Sequence, residues 1–120
     1  MKNTINLKKE KLVSGVKDAR RKRWIKQRIK RGYSDRDVWS FDSFLAQVIA
    51  GGIRQVGRFG GYPGSFEENP DQWTETLNFI ADQFEWYAEQ QFNYKEFKEN
   101  EENFHKAWIL LEENFGGLWT

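Results

Sequence analysis

Four charged side chains lie close together in residues 32–42, where a basic segment gives way to an apolar, aromatic one. Asp35, Asp37 and Asp42 could present several oxygens to Mg²⁺, which prefers oxygen ligands. A metal site usually draws its ligands from more than one element, and the sequence offers no obvious further ligand. The simpler interpretation is a helix cap, carboxylates at a helix N-terminus and a salt bridge from Arg36 or a neighbouring arginine. We therefore predict no metal site and no catalytic residue.

The second candidate is the basic segment that precedes these residues. Residues 18–31 contain eight Lys and Arg side chains and one tryptophan. Arginine-rich helices bind RNA hairpins or DNA by neutralising phosphates, and an aromatic ring can stack on an unpaired base. The predicted contacts are Arg20, Arg21, Arg23, Trp24, Arg28 and Arg31. The alternative is a helix that lies against the acidic C-terminal half of the chain, where these glutamates would pair with it: Glu85, Glu89, Glu96, Glu99, Glu101 and Glu102.

The third candidate is a glycine-rich stretch, residues 57–65, which is accompanied by Arg54 and Arg58. Backbone amides freed by glycines can cradle a phosphate, and the two arginines would strengthen such a site. The predicted anion is then a nucleotide. The stretch lacks the Gly-Lys-Ser/Thr sequence and the preceding strand of a Walker motif. The alternative is a plain turn between helices.

The composition argues against several classes of function. The chain has no cysteine and a single histidine, His105, so disulfides, a thiolate zinc site, a His-based metal cluster and a Ser-His-Asp triad are poorly supported. Its apolar runs are too short for a transmembrane helix. The charged N-terminus lacks the apolar core of a signal peptide, so we expect no export. We predict no cofactor and no enzymatic activity.

The net charge of +1 conceals two opposed halves. Residues 1–31 contain 13 Lys and Arg against two acidic residues, whereas the other 89 residues contain 6 Lys and Arg against 16 acidic residues. Such a division is typical of a basic arm for nucleic acid, or of charge pairing within or between subunits. At 120 residues the chain is most economically one domain.

Helical periodicity begins with the basic segment. Residues 8–31 fit a helix that Gly32 would end in a left-handed conformation. Ser34 then fits an N-cap, and Asp37 three residues later would complete a capping box. Apolar residues at helical spacing predict a largely buried helix over residues 35–58, anchored by Trp39 and Phe41 and followed by Phe44, Leu45, Val48, Ile49, Ile53 and Val56. Gly51 and Gly52 inside it indicate a kink or the close approach of another helix.

The second half of the sequence also predicts helices. Residues 57–69 form the one Gly/Pro-rich loop, in which Pro63-Gly64 fits the centre of a type II turn. Asn69 as a cap and Pro70 as the first helical residue begin the next helix. Over residues 70–115 we favour two helices to one bent helix, with the apolar positions Trp73, Leu77, Ile80, Ala81, Phe84, Tyr87 and Ala88, and then Phe104, Ala107, Trp108, Leu111 and Phe115.

No segment alternates as a strand would, and no internal repeat is visible. The predicted fold is therefore a single all-α domain over residues 1–120, a small helical bundle of three to five helices with one Gly/Pro-rich loop. Residues 1–31 form its basic N-terminal helix or arm, and residues 34–115 form the helical core.

Residues 32–42 also carry a resemblance to a known family. The run Gly-Tyr-Ser-Asp-Arg-Asp-Val-Trp-Ser-Phe-Asp, followed by an apolar helix, resembles the signature of a family of small phage and prophage proteins. A Gly-Tyr-Pro turn (residues 61–63) and a Trp-containing acidic helix (residues 71–85) follow in the same order as in that family. The resemblance covers about residues 20–90. It implies phage origin and a place in the cytoplasm of the infected host, and it brings no established activity.

Together these patterns predict a non-enzymatic phage accessory protein. It would bind an anionic target, either nucleic acid or a nucleotide, and interfere with host defence or gene expression. The alternative is a protein–protein interaction module or homo-oligomer that inhibits a host protein complex, such as a defence protein. In that case the basic helix would meet acidic helices and the aromatic residues would form the core of the interface.

Overall fold

The structure is a computed structural model that describes residues 19–89 and 94–119. These residues fold into α-helices and short 3-10 turns, and they contain no strand. The helices are α1 (Ala19–Arg31), α2 (Asp35–Val38), α3 (Phe41–Arg58), α4 (Pro70–Glu89) and α5 (Tyr94–Asn114). The predicted all-α bundle is therefore confirmed. Within the described residues no helix is long and apolar enough to cross a membrane.

The core lies between α3 and α4. The two helices run antiparallel, since Asp42 of α3 meets Tyr87 of α4 while Gly57 faces Leu77. From α3 the core receives mainly small side chains, whereas α4 supplies large ones, so the two helices can approach closely. The buried residues are Ala46, Ala50 and Ile53 of α3 and Trp73, Leu77, Ile80, Ala81 and Phe84 of α4.

The fifth helix packs on α4, and α4 ends at Glu89 before α5 begins at Tyr94. The prediction of two helices over residues 70–115 is thus confirmed. Ala107 and Leu111 of α5 are buried as predicted. However, Trp108 is 44% exposed and Phe115 is 70% exposed, so the predicted apolar spacing does not coincide with burial at every position. The reason is that α5 has one neighbouring helix in the described chain, which covers a narrow stripe of its surface.

The predicted single helix over residues 35–58 is also wrong, because the chain breaks it into α2 and α3. Ser40 has φ −134° and ψ 61°, outside the helical region, and α3 restarts after it. Trp39 and Phe41 flank this break and are 66% and 44% exposed, so they do not anchor a buried helix. The break separates α2, which contacts α1, from α3, which packs on α4.

Two glycine predictions had different outcomes. Gly32 has φ +89° and its N–H donates to the Arg28 carbonyl at 2.8 Å, which confirms it as the stop of α1. Across residues 51–52, α3 continues as a helix. A Cβ added to Gly52 would meet no described atom within 4 Å, so no helix of the described chain approaches closely there.

The loop between α3 and α4 differs from the predicted type II turn. That turn would require a positive φ at Gly64, but among the described glycines only Gly32 and Gly60 have one. Instead Pro63, with φ −66° and ψ 154°, leads into a 3-10 turn over Gly64–Phe66. The cap of α4 is confirmed, because the Gln72 N–H donates to the Asn69 side-chain oxygen at 3.3 Å.

The basic helix α1 stands apart from the acidic helices. The predicted segment 8–31 is described from Ala19 onward, and residues 8–18 lie outside the described residues. In the described chain α1 contacts α2 and packs against neither α4 nor α5. The described part of the basic helix therefore does not pack on the acidic helices of its own chain, as that alternative would require. The cause is the short α2, which holds α1 beside the start of α3.

Candidate nucleic-acid interface

The surface of α1 carries a dense positive charge. Of its 13 residues eight are Lys or Arg and none is acidic. Trp24 and Arg28, one helical turn apart, are buried and face α2. Arg21 is half-buried, and the other cations are exposed: Arg20, Lys22, Arg23, Lys26, Lys30 and Arg31. Cations near the end of α1 also interact favourably with its helix dipole.

A buried ion pair between Arg28 and Asp37 fixes α1 against α2. The Arg28 Nε donates to Asp37 Oδ2 at 2.8 Å, and its Nη2 donates to Oδ1 at 2.6 Å. The side chains are 7% and 5% exposed. The guanidinium also lies 5.2 Å from the centre of the Phe44 ring. We refer to this two-point bond between Arg28 and Asp37 as the clamp.

The capping box at the start of α2 holds Asp37 in place for the clamp. The Asp37 N–H donates to Ser34 Oγ at 3.1 Å, and the Ser34 N–H donates to Asp37 Oδ2 at 2.8 Å. The predicted capping box is thus confirmed. Burial alone would raise the pKa of Asp37, but the hydrogen bonds from Arg28 and Ser34 outweigh it, so the pKa lies below its usual 3.8.

A second, exposed set of bonds joins the end of α1 to α2. Gln27 Nε2 donates to Asp35 Oδ2 at 2.9 Å, and the Asp35 N–H donates to Gln27 Oε1 at 2.8 Å. Arg31 Nη2 donates to Asp35 Oδ1 at 2.7 Å, and its Nε donates to the Tyr33 carbonyl. Hydrogen bonds from Gln27 and Arg31 lower the pKa of Asp35. Arg31 therefore helps to hold α2 as well as facing solvent.

The three aspartates of this region do not converge on a metal site. Asp35 and Asp37 are bonded to α1, whereas Asp42 accepts a hydrogen bond from Tyr87 at 2.5 Å. Within the described residues no group of three potential ligands lies close enough to hold a metal ion. The sequence interpretation as a cap with neighbouring salt bridges is supported, although Arg28 forms the salt bridge to Asp37.

The aromatic rings that are exposed beside α1 differ from the predicted one, Trp24. Trp24 is 3% exposed, so its ring is not available to a base. Its edge meets Trp39 at 6.0 Å between ring centres, and Trp39 is 66% exposed. The Arg36 guanidinium lies over the Trp39 ring at 4.4 Å, and Arg31 lies over the exposed Tyr33 ring at 4.5 Å. The exposed aromatic rings beside α1 are therefore Trp39 and Tyr33.

Sequence reasoning placed Trp39 in the core because it fits the apolar helical spacing of α3. A signal was present nonetheless: two serines flank residues 35–39, and Ser34 and Ser40 can each begin a helix. A short capped helix between them would have left Trp39 outside the spacing of α3.

Arg36 Nε is buried and has no hydrogen-bond partner in the described chain.

Arg54 and Arg58 lie in a different place from the basic helix. They line a groove of about 340 Å³ between α3 and α4, together with Thr74 and Asn78. Arg54 Nη2 donates to Asp82 at 2.7 Å and to Glu85 at 2.5 Å, and the hydrogen bond to Asp82 is the main reason for its raised pKa. Arg58 donates to Gln55 at 2.8 Å. Two carboxylates offset the charge of Arg54, which weakens the case for an anion there.

Comparison of the chain with protein-family models, with curated proteins and with solved structures finds no match.

Removing the negative half of the clamp should release α1 from α2. In Asp37→Asn the Arg28 guanidinium stays buried without a counter-charge, a change that costs about 3–5 kcal/mol in buried pairs. Since α1 packs on α2, meets the start of α3 through Arg28 and Phe44, and does not pack on α4, the loss should appear locally. Hydrogen exchange at the amides of residues 19–31 should accelerate, while exchange in the core of α4 stays slow. Asp35→Asn is the control, because Asp35 is exposed, and equal acceleration in both variants would contradict the clamp.

The clamp should also weaken in acid. The folded pKa of Asp37 lies below the usual 3.8, so the clamp is fully formed above pH 3.8 and is lost as the pH falls through the folded pKa. Its loss would expose Trp24, whose indole NMR signal should shift in this range. Asp35 also titrates there, so Asp37→Asn is needed to assign the change. The same transition in Asp37→Asn and in the unmodified protein would rule out Asp37 as its cause.

Proposed function

We propose that this protein is a non-enzymatic phage accessory protein that binds nucleic acid with the exposed face of α1. By doing so it interferes with host defence or host gene expression, in the cytoplasm of the infected cell. The observation that carries the proposal is the basic helix itself, which has eight cations and no acidic residue and which the clamp holds away from the acidic helices. The phage setting depends on the family resemblance of residues 32–42.

The separation of charge would orient a phosphate backbone on the molecule. Helix α4 contains no Lys or Arg, and in α5 three lysines stand against six glutamates. A polyanion is therefore repelled by these helices and attracted by α1. Neutralising phosphates with Lys and Arg releases condensed counterions, which supplies affinity without sequence preference.

The exposed rings of Trp39 and Tyr33 favour single-stranded nucleic acid or an RNA loop. Bases that are not paired stack on aromatic rings, at about 1–3 kcal/mol per base in known binders of single strands. Trp39 lies against Trp24 of α1, and Tyr33 lies beside Arg31, so both rings adjoin the basic face. Arg20, Arg21, Arg23 and Arg31 would contact phosphates, whereas Trp24 and Arg28 act through the packing of α1.

A free nucleotide is a weaker candidate for the anionic target. The groove beside Arg54 and Arg58 is large enough for part of a nucleotide. Asp82 and Glu85 already bind Arg54 there, and a phosphate would have to displace them or lie beside them. For this reason we assign the anion to α1.

A second function is favoured by the apolar surface around α2. Tyr33, Val38, Trp39, Phe41 and Leu45 are all exposed, and the rings of Tyr33 and Phe41 touch at 6.5 Å between centres. Exposed apolar patches of this kind occur at protein–protein interfaces. On this alternative the protein would form a homo-oligomer or inhibit a host protein complex, and the basic face would steer it toward an acidic partner.

Nucleic-acid binding should depend steeply on salt and on α1. Three exposed cations on α1 can be reversed together as Arg23→Glu, Lys26→Glu and Lys30→Glu without touching the clamp. We expect a loss of at least about tenfold in affinity for a single-stranded oligonucleotide, and a salt slope smaller in magnitude by about 2. Fluorescence anisotropy at several salt concentrations measures both.

The matched control reverses three exposed lysines of α5, Lys95, Lys98 and Lys106, which changes the net charge equally. If the α1 and α5 variants bound alike, or if the unmodified protein bound no oligonucleotide, the proposal would fail. A mass that rises with protein concentration, in the absence of binding, would support the protein-interaction alternative.

A further inference from the structure

An aromatic cavity lies between α3, α4 and α5, and no residue of α1 lines it. Its volume is about 230 Å³. Four aromatic rings and one carboxylate line it: Phe84, Tyr87, Phe104, Trp108 and Asp42. Leu45, Ala46 and Ile49 complete its wall from α3. We call this cavity the aromatic cage.

The rings of the aromatic cage stand at different angles to one another. Phe84 meets Trp108 at 4.9 Å and Phe104 at 5.2 Å between ring centres, both edge to face. Tyr87 stacks on Phe104 at 4.8 Å with an interplanar angle of 10°. Phe84 is 1% exposed and Trp108 is 44% exposed, so Phe84 lies at the base and Trp108 at the mouth. The four rings are therefore packed against one another, and together they form one aromatic wall of the cavity.

Asp42 brings a negative charge to this aromatic surface. Tyr87 Oη donates to Asp42 Oδ2, and this hydrogen bond is the main cause of a lowered pKa for Asp42 and of a pKa raised to about 12 for Tyr87. At neutral pH the pair is thus a carboxylate and a neutral phenol. In the part of the chain that the structure describes, no Lys or Arg forms an ion pair with Asp42.

A neighbouring groove adds carboxylates beside the aromatic cage, although Lys98 already pairs with Glu101 at 3.1 Å. It has a volume of about 400 Å³ and shares Phe104 and Trp108 with the aromatic cage. Glu101 and Glu102 of α5 line it, together with Phe97 and His105. An anion would be repelled by the carboxylates of both cavities.

We propose that the aromatic cage binds an organic cation, an alkylammonium or guanidinium group whose apolar stem lies along Leu45 and Ile49. The faces of Trp, Tyr and Phe rings attract such cations through the ring quadrupole, and Asp42 adds a direct charge attraction. The cage is small enough for one cationic head group, and Glu102 in the neighbouring groove can take a second charge of a polyamine or of a peptide. This site differs from the proposed nucleic-acid interface in helix, ligand charge and residues, so either can fail without the other.

Choline and its neutral isostere 3,3-dimethyl-1-butanol provide the first test. The two probes have nearly the same shape, and only choline is charged. Titration of the intact protein, followed by the indole NMR signal of Trp108, should give a saturable shift with choline. The neutral alcohol should bind about tenfold more weakly, since cation–π attraction in a partly desolvated site reaches that size.

Asp42→Asn tests the carboxylate, and it keeps an oxygen that can accept the Tyr87 hydrogen bond. We expect it to weaken choline binding about three- to tenfold. Asp71→Asn is the matched control, because Asp71 is also an exposed aspartate in the first turn of a long helix. Spermidine and a short lysine-containing peptide, titrated in the same way, separate a free amine from a protein side chain as the source of the cation.

Equal binding of choline and the alcohol would overturn the proposal, because the site would then be merely apolar. Equal effects of Asp42→Asn and Asp71→Asn would also overturn it, as would the absence of a saturable shift with all three cations.

Discussion

The arrangement of this protein depends on the buried ion pair between Arg28 and Asp37. A charged pair taken out of water gains little net stability, because desolvation offsets most of the attraction. What the pair provides is position: two parallel hydrogen bonds define both the distance and the orientation of α1 relative to α2. The capping box of Ser34 fixes Asp37 from the other side. A basic helix with few apolar residues is thereby docked where hydrophobic packing alone would hold it weakly.

The consequence of this docking is a molecule with separated charges. A helix with eight cations and helices rich in carboxylates would be expected to attract each other, yet α1 and the acidic helices do not pack together in the described chain. The clamp holds α1 against α2, which precedes the break at Ser40. The outer face of α1 is therefore strongly positive, and α4 and α5 carry many carboxylates.

Features that depend on neighbouring residues in the sequence were predictable. The stop at Gly32, the capping box at Ser34, the cap at Asn69 and the two helices over residues 70–115 are all local and were predicted correctly. The break at Ser40 was missed because the apolar spacing of residues 39–56 continues across it. The spacing gives the face of a helix, but not whether another element covers that face.

Which residues are exposed at each site depends on contacts between residues that are far apart in the sequence. No local sequence pattern indicates such contacts. Trp24 and Arg28 belong to the basic segment and were predicted to contact the target, but α2 buries them. Trp39 was predicted to anchor a buried helix but is exposed, because Trp24 and Arg36 cover only part of its ring. The bond between Tyr87 and Asp42 joins α4 to α3 across 45 positions, and no local pattern marks it.

The central claim is that the clamp presents α1 as a binding surface for nucleic acid. Native mass spectrometry of the intact protein, mixed with a single-stranded oligonucleotide, tests it most directly because free protein, protein oligomers and complexes appear as separate masses. We expect a protein–oligonucleotide complex that is abundant for the unmodified protein and reduced in Asp37→Asn, in which α1 is released. Protein oligomers without bound oligonucleotide would contradict it.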